Sequence, residues 1–178
     1  MGPVTIHSAH PFLPPPEQRD QLRRFRGRLA APVTVWTTGV GRTREGWTLS
    51  SVLVADGGPE RPAEVLGLLD EDTDLADALT PDATLVVNLL DPGHTHLADA
   101  FARLTPAPGG PFRVGDWTDT AWGPRLAGAS WLGARVRTAP GYAGWALLVR
   151  AVIEHVEVVD QPGLVHWHGR YRSLSQEQ

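Results

Sequence analysis

The segment Gly46-Trp47-Thr48-Leu49-Ser50-Ser51 places three hydroxyls within four residues, just after the turn Gly39-Val40-Gly41. Hydroxyls and backbone N–H groups packed this tightly can hold a phosphate or the polar edge of a ring without a lysine. That matters here, because the 178-residue chain contains no lysine and no cysteine, and all 16 of its basic residues are arginine. Those two zeros exclude disulfides, cysteine nucleophiles, thiolate metal sites and iron–sulfur clusters. They also exclude a Schiff-base lysine and a lysine-bearing phosphate loop. Any phosphate held by this chain is held by arginine, hydroxyls or backbone N–H groups.

Other candidate motifs fail on spacing. Gly39-Val40-Gly41 lacks the third glycine of a dinucleotide fingerprint, since Arg44 stands in its place. The run from Gly128 to Gly133 around Ser130 has one residue too many for a nucleophile elbow. Asp70, Asp72 and Asp74 begin like a calcium loop, but Leu75 and Pro81 occupy the positions that need glycine and glutamate. Those acids suit the start of a helix instead, with Asp72 or Thr73 as its cap. His166 and His168 alternate on a predicted strand and would share a face, but no third ligand is visible. His94 and His96 are two apart at a helix start, a poor spacing for joint ligation. The sequence therefore predicts no metal site and no protein acid, base or nucleophile.

The elements that must position the hydroxyl segment follow from periodicity. Residues 1–16, rich in proline and ending in Pro14-Pro15-Pro16, read as an extended N-terminal arm, and residues 17–178 as a single domain. Leu22, Phe25 and Leu29 mark one face of a helix over 17–29, with five arginines largely around it as a solvated face. Strands are predicted over 33–38, 47–55, 63–69 and 83–90, the last carrying the chain's only asparagine, Asn88. Short helices are predicted over 73–79 and 95–104, and an irregular stretch over 105–128. Three strands follow, over 129–138, 145–159 and 164–174. The middle one is long for a flat sheet and is expected to bend as barrel strands do. The sum is a mainly β (α+β) chain: an antiparallel, closed or nearly closed barrel with about three flanking helices. The formal net charge of −4 gives no field to draw in nucleic acid or an anionic membrane, and no apolar run spans a bilayer. With no secretory signal, a cytoplasmic protein is expected.

In order and spacing these segments resemble the flavin reductase-like, FMN-binding split-barrel family. Ala31-Pro32-Val33-Thr34-Val35-Trp36-Thr37-Thr38 is similar to its Pro-x-Gly-Val-Thr-Val-Val-Thr strand, and Gly46–Ser51 to its Gly-Met-Thr-x-Ser-Ser flavin loop. Leu85-Val86-Val87-Asn88-Leu89-Leu90, the Leu97–Ala102 helix, Gly123–Ala129 and Gly169-Arg170-Tyr171 resemble later family segments, so the likeness covers about residues 20–174. It implies a homodimeric split barrel that binds FMN, or FAD, near the dimer interface. It implies hydride transfer from NAD(P)H to that flavin, with reduced flavin handed to a partner monooxygenase. By position, Trp47, Thr48, Leu49, Ser50 and Ser51 would line the flavin, with Thr37 and Asn88 as supports. The other readings are a non-catalytic dimeric module with a degenerate flavin site, or a split barrel for another ligand such as deazaflavin or haem.

Two departures bear on activity. Residues 70–82 carry six acids and no base where the family often holds the flavin phosphate, so Arg42, Arg44 or a partner-subunit arginine is expected to intervene. Gly144-Trp145 also stands where the family often has Asp-His, and Trp145 could stack on the flavin or fill its place.

Overall fold

The structure is a computed structural model and describes residues 21–174. The arm predicted over 1–16 and the first residues of the predicted helix lie outside the described residues. The remainder of that helix is α1 (Gln21–Arg26), followed by β1 (Ala31–Pro32).

β2 (Thr34–Thr38), the β-branched run Thr-Val-Trp-Thr-Thr, is buried at every residue. Period-2 alternation sends Val35 to one core and Trp36 to another, which is what a strand covered on both faces requires. It pairs with β3 (Glu45–Leu49) on one side and β6 (Thr84–Leu89) on the other. β4 (Val52–Ala55) and β5 (Glu64–Leu69) form an antiparallel pair, and α2 (Asp74–Ala78) follows. Thr73 caps α2: its hydroxyl accepts from the Ala76 N–H at 3.2 Å. After β6 come α3 (Thr95–Phe101), a small hairpin of β7 (Trp117–Asp119) and β8 (Pro124–Leu126), and β9 (Trp131–Val136). β10 (Gly141–Ala143) and β11 (Ala146–Glu157) form a hairpin, as do β12 (Gly163–Trp167) and β13 (Arg170–Leu174).

The main sheet runs β3-β2-β6-β9-β11-β5-β4, all antiparallel, with β10 added to β11. Its two end strands, β3 and β4, are consecutive in the chain and are separated only by Ser50 and Ser51. So short a link spans roughly 10 Å at most, so the sheet must curl until its ends meet. This is the expected barrel, split at the β3–β4 seam. The long strand β11 bends as expected. Its first half pairs with β5 and its second with β9, and the register shifts at a bulge between Ile153 and His155.

Trp36, Val65, Leu69, Leu85, Val136 and Val149 fill the barrel. Gly67 makes room for Trp36: a Cβ there would lie 2.6 Å from the indole. A second core, with Val35, Leu97, Phe101, Leu126 and Leu164, packs α3 and the β7–β8 hairpin onto the outside of β2.

Three expectations are corrected. The strand predicted over 47–55 is two strands broken at Ser50–Ser51. The strand predicted over 164–174 is a hairpin, turned by His168 (φ 51°) and Gly169 (φ 73°), both in the left-handed region that tight hairpins use. His166 and His168 therefore do not share a strand face. The stretch over 105–128 holds the β7–β8 hairpin, too short and too rich in Pro and Gly for alternation to reveal.

Candidate functional site

The seam where β3 hands over to β4 opens into a cavity of about 890 Å3. Ser50 and Ser51 line it, and neither hydroxyl has a hydrogen-bond partner among the described residues. Leu53, Leu66 and Leu148 give it an apolar wall, and Arg23 and Arg26 of α1 stand on its rim. His166 of β12 is also on the cavity. Its ring meets Tyr171 edge-on at 5.9 Å, and the Tyr171 hydroxyl donates to Asp99 Oδ1 at 2.8 Å. Burial, then that hydrogen bond to Asp99, pushes the Tyr171 phenol well above its ordinary value, so it stays protonated and a donor. A cavity of this size with an apolar wall and a few convergent polar groups is the usual form of a small-molecule site.

Within the hydroxyl segment, strand alternation divides the residues of β3. Thr48 donates its hydroxyl to the Ala98 carbonyl at 2.7 Å and so ties β3 to α3. Leu49 is buried in the barrel, and Trp47 packs against the same core. The hydroxyl of Thr37 donates to the Pro124 carbonyl. Asn88 is fully buried and bonds to Val35, Thr37 and Leu126. Of the seven residues nominated from sequence, the structure brings Ser50 and Ser51 to the cavity and places the others in its framework. Arg23, Arg26 and His166 were not nominated. The arginine-rich helix face was the available signal, and it is exposed as expected, but it overhangs the cavity.

The acids of 70–82 do not line this cavity. Glu71 accepts from the Tyr142 hydroxyl at 2.6 Å, and Asp70 accepts from the Asp72 N–H at 3.1 Å and, through its carbonyl, from Thr73. Arg42 and Arg44 are not there either. Arg44 lies 2.8 Å from Asp119, and Arg42 and Arg44 line a different cavity. Among the described residues no three His, Asp or Glu side chains converge as a metal site, and no helix is long and apolar enough to cross a membrane.

Residues 26–175 match the family described as the flavin reductase like domain. The chain belongs to the flavin reductase-like family. It is 29% identical over 163 residues to an FMN reductase (NADH), RutF, of Ancylobacter novellus, covering 90% of this chain and 88% of that protein. It is similar in structure to the NADH:FAD oxidoreductase SgcE6 of Streptomyces globisporus, solved in complex with NAD and FAD fragments. That match has a TM-score of 0.77 and 25% identity, over 92% of this chain and 96% of that one. The fold is also that of BorF, the flavin reductase component of a bacterial two-component tryptophan halogenase, with a TM-score of 0.75 at 24% identity, covering 88% of this chain and 98% of that one. In this flavin reductase-like chain, Trp145 sits in the β10–β11 turn and is 95% exposed, so it does not fill the cavity.

Proposed function

We propose that this chain is an NAD(P)H-dependent flavin reductase whose flavin, FMN or FAD, occupies the cavity at the Ser50–Ser51 seam. The observation that carries the reading is the meeting there of two unengaged hydroxyls, a leucine wall and two arginines, which matches an amphipathic ligand with an anionic end. When bound, the flavin ring supplies the hydride-accepting centre, so alignment matters more than a protein acid or base. The residues divide the remaining work. Ser50 and Ser51 hold polar atoms of the ring or its side chain. Arg23 and Arg26 hold the phosphate as charge-assisted donors. Leu53, Leu66 and Leu148 exclude water from one side.

A homodimer completes the site in this reading. Leu53 and Val54 are exposed on edge strand β4, and Phe25 and Leu29 are exposed on and after α1; Leu53 and Leu29 also line the cavity. An apolar edge strand left open is a liability that a second subunit removes. Reduced flavin would leave for a partner monooxygenase, and the nicotinamide co-substrate suits a cytoplasmic location.

Purified protein given NADH or NADPH with FMN or FAD is expected to consume the nicotinamide absorbance. The double substitution Ser50→Ala, Ser51→Ala is expected to raise KM for flavin more than it lowers kcat. Absence of any flavin-dependent oxidation would sink the proposal in favour of a non-catalytic module.

A further inference from the structure

A second cavity, of about 590 Å3, opens at the opposite end of β3, and it shares no residue with the Ser50–Ser51 cavity. Four arginines converge on it from separate parts of the chain: Arg42 and Arg44 from the β2–β3 connection, Arg103 from just after α3, and Arg113 from the turn over residues 111–113. The acidic residues lining it are Glu45 and Asp74. Four cations thus face two carboxylates, in a chain whose formal net charge is −4.

Arg44 is fixed, bonded through Nε to Asp119 Oδ1 at 2.9 Å with its guanidinium carbon 5.8 Å from the Phe112 ring centroid. Phe112 is itself pinned edge-on against Phe101 at 5.0 Å and Trp117 at 5.2 Å. Arg42, Arg103 and Arg113 have no ion-pair partner among the described residues. With Arg44 held by Asp119, the other three arginines face the Glu45 and Asp74 carboxylates without an ion pair to either, and an anion placed among these guanidiniums supplies the charge-assisted hydrogen bonds that they lack. Gly109 and Gly110, at φ 81° and 95°, carry the chain past the cavity with no side chain, and a Cβ on Gly110 would meet nothing within 4 Å.

We propose that this cavity binds a phosphate-bearing small molecule, separately from the flavin site, with Arg103 and Arg113 as its principal contacts and Arg42 at its mouth. Several guanidinium forks arriving from different directions match the many acceptor edges of a phosphate or diphosphate, whereas one carboxylate satisfies one fork. The concave shape suits a small molecule over a flat protein surface. The Phe112 ring lies beneath Arg44, so the diphosphate and not an aromatic base is what the cavity reads. That group reaches it either as free pyrophosphate or as the end of a nucleotide. The inference does not depend on the flavin reading.

The test is calorimetric titration of the full chain at low salt, with and without saturating FMN, with pyrophosphate and separately with ADP. Saturable binding at one site, weakened at least about tenfold in Arg103→Gln, Arg113→Gln with FMN quenching unchanged, is the expected result. Equal affinity for the two probes points to the free anion, and tighter ADP binding to a nucleotide. The single variant Arg113→Lys, at an exposed position, keeps the charge and is expected to retain part of the binding even where the double variant fails to fold. Absence of binding by both probes, binding that survives in the double variant, or displacement of FMN by pyrophosphate overturns the proposal.

Discussion

The side-chain oxygen of Asn88 accepts the backbone N–H of Leu126 at 2.7 Å, and its amide nitrogen donates to the Val35 carbonyl at 3.1 Å. One fully buried side chain thus joins β6, β2 and β8. Replacing it with leucine strands the Leu126 N–H and the Val35 carbonyl in an apolar core, at a cost of about 3 kcal/mol. Urea unfolding of Asn88→Leu is expected to show this loss, while the molecules that fold keep parental FMN affinity. A large loss of FMN affinity in fully folded Asn88→Leu would return this residue to the flavin site.

Asn88 also shows how far the sequence could be read. Its isolation in an apolar strand marks a position with a special demand, but spacing along one chain does not say whether a ligand or a neighbouring backbone meets that demand. Strands, order and the barrel were legible because β2 and β6 are runs of β-branched and apolar residues and β11 is twelve residues long. The break at Ser50–Ser51 was hidden because apolar residues continue on both sides of it. Its cause is non-local: the sheet's two ends must meet there. The His168-Gly169 turn carried a usable signal, since histidine is among the side chains that enter the left-handed region most readily. The place of α1 over the cavity was not legible, because a helix face rich in arginine looks the same whether solvent or a ligand lies beyond it.

Gly67 and Trp36 form a complementary pair inside the barrel. A Cβ on Gly67 would stand 2.6 Å from Trp36 Cη2 and 2.7 Å from Cζ2, and the indole is fully buried with no room to retreat. Gly67→Ala is expected to destabilise by about 2 kcal/mol through overpacking. Trp36→Phe in the same chain should recover part of that loss, so a double-mutant cycle of chemical denaturation is the check. Additive effects would show that the two positions do not press on each other.

Arg23 and Arg26 are expected to recognise the phosphate and nothing else of the flavin. The substitution Arg23→Gln, Arg26→Gln should raise the FMN dissociation constant about tenfold and flatten its dependence on salt. Riboflavin, which has the ring without the phosphate, should bind parent and variant alike. Fluorescence titration with both flavins decides the point: equal losses for FMN and riboflavin would mean that α1 merely shapes the cavity.

Glu45 gives a pH dependence whose sign can be fixed. Burial first, and then the negative charge of Asp74, pushes its carboxyl above the ordinary value of 4.5, against a smaller opposing pull from Arg103. The folded chain therefore holds this proton more tightly than the unfolded chain does, and stability associated with Glu45 is full below the unfolded value and falls as pH rises through the folded one. Glu45→Gln removes the charge without changing the shape, so it should melt above the parent near neutral pH and lose that advantage in acid. Arg103→Gln should act in the opposite sense, by withdrawing the cation that favours the Glu45 carboxylate. Thermal melts of the three proteins from about pH 4 to about pH 8 provide the comparison. A Glu45→Gln protein that melts below the parent at neutral pH would show that the carboxylate is held by its arginine more than it is penalised by burial.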